Sequence, residues 1–211
     1  MSEAGDAARE AIRLAADAVA ALQSRPVEPL ERAIEAILAS SGRVLVTGLG
    51  KSGLIGAKIA ATLSSTGTPA SFVHAADALH GDSGAVRDGD VVIAISNSGE
   101  TAEVCAFVEM VQPGAVVIGI SGCGGSSTLA KLSDVSLDAG VERECDPHDL
   151  TPTASTTVTL VLGDALAVGL MSARGFTPDD FKKHHPGGTL GKKLAGPERP
   201  GAEGATSGRH G

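Results

Sequence analysis

Residues 48–53 read Gly48-Leu49-Gly50-Lys51-Ser52-Gly53 and follow the apolar run Val44-Leu45-Val46. A glycine turn between a strand and a helix lets backbone amides approach an anion, and the helix dipole favours negative charge there. Three ligands compete for such a loop. A dinucleotide asks for an acid at the end of the second strand, to accept the ribose hydroxyls. That strand candidate ends Phe72-Val73-His74, and the nearest acid, Asp77, lies beyond it. A triphosphate loop asks for a glycine five residues before Gly50, where the chain has Leu45. A monophosphate fits better. The stretch Ser96-Asn97-Ser98-Gly99-Glu100-Thr101 sets hydroxyls around a turn at a helix start, and Ser52 adds another from the neighbouring loop. Free N–H groups at that helix start complete an anion site. The competing reading is that these hydroxyls only cap helices.

Lys51 stands at the start of a helix, where the dipole disfavours a cation. A bound anion offsets that repulsion, which assigns Lys51 to stabilising oxyanion or phosphate charge; an ordinary exposed lysine is the alternative. Gly50, Ser52, Ser96, Asn97, Ser98 and Thr101 are the accompanying candidates for substrate binding.

Composition narrows the partners. The chain has 211 residues, a formal net charge of -8 and no basic run, which argues against nucleic acid and anionic membrane. No apolar stretch is expected to reach the roughly 18–20 residues that span a bilayer. The first residues carry acids early and do not form a signal peptide. Cys105, Cys123 and Cys145 show no paired spacing and read as free thiols of a cytoplasmic protein. With aromatics at 2% and neither Trp nor Tyr, stacking on bases or sugars is not an available mode.

The elements that must hold these groups follow from periodicity. Ile12, Ala15, Val19 and Leu22, then Leu30, Ile34, Ile37 and Leu38, form two amphipathic stripes over residues 1–42. From residue 43, Val- and Ile-rich runs at 44–50, 69–73, 90–96 and 115–121, with a weaker one at 134–140, alternate with helical stretches at 54–63, 100–111 and 126–132. Continuous apolar runs suit strands covered on both faces of a parallel sheet. The prediction is an α/β three-layer sandwich with a mainly parallel five-stranded sheet flanked by helices, flavodoxin-like in order. A long helix over 155–173 follows, its start Thr151-Pro152-Thr153-Ala154-Ser155-Thr156-Thr157 rich in capping hydroxyls. A short helix over 177–183 begins with Thr177 as N-cap and Pro178 in its first turn. Residues 1–42 are expected to pack on a ligand-binding domain of residues 43–194, with 195–211 a polar, disordered tail.

Four segments, at 48–82, 90–104, 150–176 and 185–194, resemble the sugar isomerase (SIS) domain family and more closely its D-arabinose 5-phosphate isomerases. The segments at 150–176 and 185–194 are the specific ones, since the wider family shares mainly the Ser-Asn-Ser-Gly-Glu-Thr type of loop. The resemblance implies conversion of D-ribulose 5-phosphate to D-arabinose 5-phosphate, a precursor for lipopolysaccharide, by a homotetramer with no organic cofactor and no required metal. Longer members carry two CBS modules, which this chain is expected to lack. It also implies catalytic roles for Lys51, Glu103, Glu144 and His185, with His185 reaching a neighbouring subunit's site. His80, beside Asp82, is implied to contact the sugar. The chemistry needs a base, a proton donor for oxygen and charge stabilisation. Around Glu144 the chain departs from the family pattern, with His148-Asp149 where small or apolar residues are usual. A like charge there is expected to raise the Glu144 pKa. Two other readings stay open: a non-catalytic phosphosugar sensor, and an isomerase of another sugar phosphate.

Overall fold

Val44 and Val46 of β1 (Val44–Gly48) face one layer of helices, while Leu45 between them faces the other. That alternation is the strand pleat at work, and it recurs across the sheet. The computed structural model describes residues 2–184. His185 and the tail at 195–211 therefore lie outside the described residues.

The five strands among the described residues are β1, β2 (Ala70–His74), β3 (Val91–Ile95), β4 (Val116–Ser121) and β5 (Val135–Asp138). All pairings are parallel, in the order β2-β1-β3-β4-β5. On one face lie α2 (Glu28–Ala39), α3 (Gly50–Ser65) and α7 (Ala154–Ala173). They bury Ile37, Ile59, Leu63, Leu166 and Leu170 against Val46, Ile93 and Ile118. The outer α1 (Glu3–Ala21) packs on α7. On the opposite face α4 (Ala75–Ala78), α5 (Ala102–Val111) and α6 (Thr128–Leu132) bury Ala78, Phe107, Val108 and Leu129 against Leu45, Val92 and Val117. Each fully buried side chain of this size contributes about 1.5–3 kcal/mol. The layered α/β architecture is the one the strand and helix alternation predicts.

Two expectations need correction. Helix α3 begins at Gly50, not near residue 54, so Ser52 rides on its first turn and not on a loop, beside Lys51 at the expected helix start. Helix α7 is long and apolar enough, by length and composition, to cross a membrane, contrary to the sequence-based expectation. Its single charge is Asp164, and its buried Val158, Leu166, Ala167 and Leu170 seat it on the sheet core.

Residues 1–176 form one compact unit, which includes α1 and α2. A second unit begins at Thr177, and its described part is Thr177 with α8 (Pro178–His184). There Thr177 and Asp180 cap one another: Thr177 Oγ1 donates to Asp180 Oδ2 at 2.7 Å and accepts from the Asp180 amide at 3.2 Å. The predicted N-cap is thus in place.

Candidate active site

Strand order reverses between β1 and β3, and ligands of such sheets bind where the carboxyl ends of the strands meet that reversal. The segments after β1 and β3 are the two glycine-rich motifs singled out above. A cavity of about 240 Å³ opens between them. Leu49, Lys51, Ser52 and Ile55 line it from the start of α3, and Asn97 from the loop after β3. Pro152, Ser155, Thr156 and Thr159 close it from the start of α7. It is smaller than drug-sized sites, which hold roughly 300–1,000 Å³, and its hydroxyls, amide and ammonium suit a small polar anion.

The helix starts separate ligand sites from filled ones. Thr101 Oγ1 lies 2.8 Å from Ser96 Oγ, and no side chain caps α5. Nor does any side chain cap α3 behind Leu49. Both dipoles point their positive ends at the strand reversal, so the hydroxyls of the Ser96–Thr101 loop are not spent on capping. Ser98 Oγ accepts from the Glu100 amide at 3.2 Å. Helix α6 differs. Ser127 caps it, and the Glu100 carboxylate accepts from the Thr128 amide at 2.8 Å and the Thr128 hydroxyl at 2.7 Å. The Thr128 hydroxyl, then its amide, hold the Glu100 carboxyl below its usual range.

Lys51 is exposed, lines the cavity and makes no hydrogen bond or ion pair among the described residues. Glu103 stands half-buried on the first turn of α5, without a hydrogen bond among the described residues, and does not line the cavity. His80 is exposed beyond α4 and also lies outside the cavity lining, while Asp82 lines a separate opening of about 580 Å³ along β2.

Glu144 is buried, with 8% of its surface exposed. Its carboxylate accepts from the Thr153 amide at 2.8 Å, the Thr153 hydroxyl at 3.1 Å, the Ser155 amide at 3.1 Å and the Ser155 hydroxyl. It therefore caps α7, a task the sequence assigns to hydroxyls. Burial raises its pKa, but the Ser155 and Thr153 hydrogen bonds outweigh burial and the net shift is downward. The expected rise is thus overturned. Those donors are the physical reason, while the Asp149 carboxylate accepts from the Glu144 amide at 2.6 Å. Asp146 is likewise occupied, accepting from the amides of His148, Leu150 and Thr151.

Sequence reasoning thus brings Lys51, Ser52 and Asn97 to the cavity, with Gly50 beside them. It missed Ser155, Thr156 and Thr159. Their signal was the hydroxyl-rich run at 151–157, which reads equally well as a cap. No cluster of three or more His, Cys, Asp or Glu side chains suited to a metal occurs among the described residues.

An α/β sandwich with two helix starts that no side chain caps, set at its strand reversal, defines an α/β protein with a place for an anionic ligand. The chain belongs to the SIS domain family, whose pattern matches residues 37–169. It is 52% identical over 188 residues to the arabinose 5-phosphate isomerase KdsD of Pseudomonas aeruginosa and 46% identical over 188 residues to that of Yersinia pestis. Both alignments cover 89% of this chain and 57% of the relative, so the chain spans little more than half the length of these curated relatives. A solved structure from Escherichia coli CFT073, in complex with arabinose 5-phosphate, superposes with a TM-score of 0.84 at 39% identity. That match covers 88% of this chain and all of the other.

Proposed function

We propose that this chain is an aldose–ketose isomerase interconverting D-ribulose 5-phosphate and D-arabinose 5-phosphate through an enediol. The observation that carries this reading is the cavity at the β1–β3 reversal, where Lys51 and Ser52 of α3 face Ser155 and Thr156 of α7. Its support from outside is the likeness to proteins named arabinose 5-phosphate isomerase and to a structure holding that sugar phosphate. In this reading the open helix starts and the Ser96–Thr101 loop hold the phosphate. Lys51 stabilises charge on the enediolate oxygens. Glu103, Glu144 and His185 move protons, His80 contacts the sugar, and neither an organic cofactor nor a metal is required. The enzyme works in the cytoplasm as a homotetramer with shared sites, supplying lipopolysaccharide synthesis, without nucleic acid or membrane as a partner. Residues 43–194 serve as the catalytic domain and 1–42 as its helical support.

Incubation with ribulose 5-phosphate should yield arabinose 5-phosphate. Failure to turn over any pentose or hexose phosphate overturns the proposal. One observation favours a second reading, a phosphosugar binder without catalysis: neither Glu103 nor Glu144 lines the cavity. Calorimetric binding of the sugar phosphate without turnover would select it.

A further inference from the structure

Glu144 and the cavity are separated by a single side chain. Ser155 is 2% exposed, lines the cavity, and donates its hydroxyl to Glu144 Oε1. The other donors to Glu144 are the amides of Thr153 and Ser155 and the Thr153 hydroxyl, and Thr153 does not line the cavity. Ser155 is therefore the one residue, among the described residues, that both donates a side-chain hydroxyl to the carboxylate and lines the ligand space.

We infer that Ser155 is a proton relay through which Glu144 serves the ligand, an assignment that rests on the isomerase reading. The isomerisation must move one proton from the hydroxyl on one carbon to the carbonyl oxygen on its neighbour. As that hydroxyl proton passes to Ser155 Oγ, the serine's own proton passes to Glu144 Oε1. The reverse transfer then protonates the oxygen that was the carbonyl. Protons balance, no electrons are exchanged with an outside reagent, and Glu103 is left to move the carbon-bound proton. This accounts for a buried carboxylate that caps a helix and still takes part in chemistry.

The test is a kinetic cycle on the full chain with ribulose 5-phosphate. S155A and S155C remove the hydroxyl, the latter keeping nearly the same volume should alanine impair folding. S155T restores a hydroxyl. Both deletions should lower kcat by roughly 10²-fold or more, the range of a positioned proton-transfer group, with KM changed little. S155T should recover most of the loss. In an E144Q background, S155C should cost almost nothing further, because the two act as one unit. Wild-type turnover with kcat unchanged in S155C, or losses that multiply with E144Q, would overturn the relay while leaving the isomerase reading intact. An inactive wild type would overturn both.

Discussion

Gly163 of α7 lies directly on Ile59 of α3: a Cβ at that position would come within 2.4 Å of two Ile59 side-chain carbons. The two helices that wall the cavity are held at this contact, and Lys58 and Asp164 pair beside it.

Replacing Gly163 with alanine sets two effects against each other. Helix propensity improves by roughly 1 kcal/mol, while overpacking of a buried site costs about 1–3 kcal/mol. Ile59 is fully buried and cannot swing away, so overpacking wins. G163A should lower the thermal midpoint by a few degrees, roughly 2–4 °C per kcal/mol for a chain of this size. A calorimetric midpoint at or above wild type would contradict this packing.

Glu144 makes stability depend on acid. Its folded pKa is lowered, so its contribution is complete above the ordinary glutamate value of about 4.3 and is lost as pH falls through the lower folded value. E144Q should be less stable than wild type at pH 7, and the gap should narrow on acidification below pH 4. Urea midpoints measured across that range check it; a gap independent of pH would show that the carboxylate charge is not what caps α7.

Lys51 is exposed and bonds to no other described residue, so removing it should spare the fold. K51M should leave the melting temperature near that of wild type yet reduce kcat by about 10²–10³-fold, the scale of one charge-stabilising donor. Unchanged turnover would return Lys51 to the status of an ordinary surface lysine.

Glu100 ties two segments together through Thr128, and the link is testable by hydrogen exchange. E100A should speed exchange at the Thr128 amide and raise KM, because the Ser96–Thr101 loop loses its brace. Normal protection at Thr128 would show that Ser127 suffices as the cap.

Strands β1, β3 and β4 are legible because helices cover both their faces, so nearly every residue is apolar. The edge strands β2 and β5 are half-exposed and correspondingly fainter. Helix α4, four residues long, has no room for a periodic stripe. The early start of α3 is hidden by its glycines, which read as loop formers. Yet Gly53 and Gly56 are where the helix lies close on the sheet: an added Cβ would come 3.0 Å from the Gly48 carbonyl oxygen at the first, and 3.2 Å from side-chain atoms of Phe72 and Val46 at the second. In the site, Lys51, Ser52 and Asn97 are visible as motif members. Ser155 is not, since a hydroxyl in the first turn of a helix looks the same whether it caps, binds or relays. Only its contact with Glu144, eleven residues away, separates these roles.

No two neighbouring strands of this sheet are joined by a hairpin; every adjacent pair has at least one helix between its members in sequence. β1 is seated only when Val44 has met both Ala70 and Val91. Such long-range closures cost entropy before any contact rewards them, which slows folding. The ligand cradle at the end of β1 should therefore be a late-born feature, absent from early intermediates. Pulse-labelled refolding should show β1 amides protected after those of α5, and early protection of β1 would refute this order.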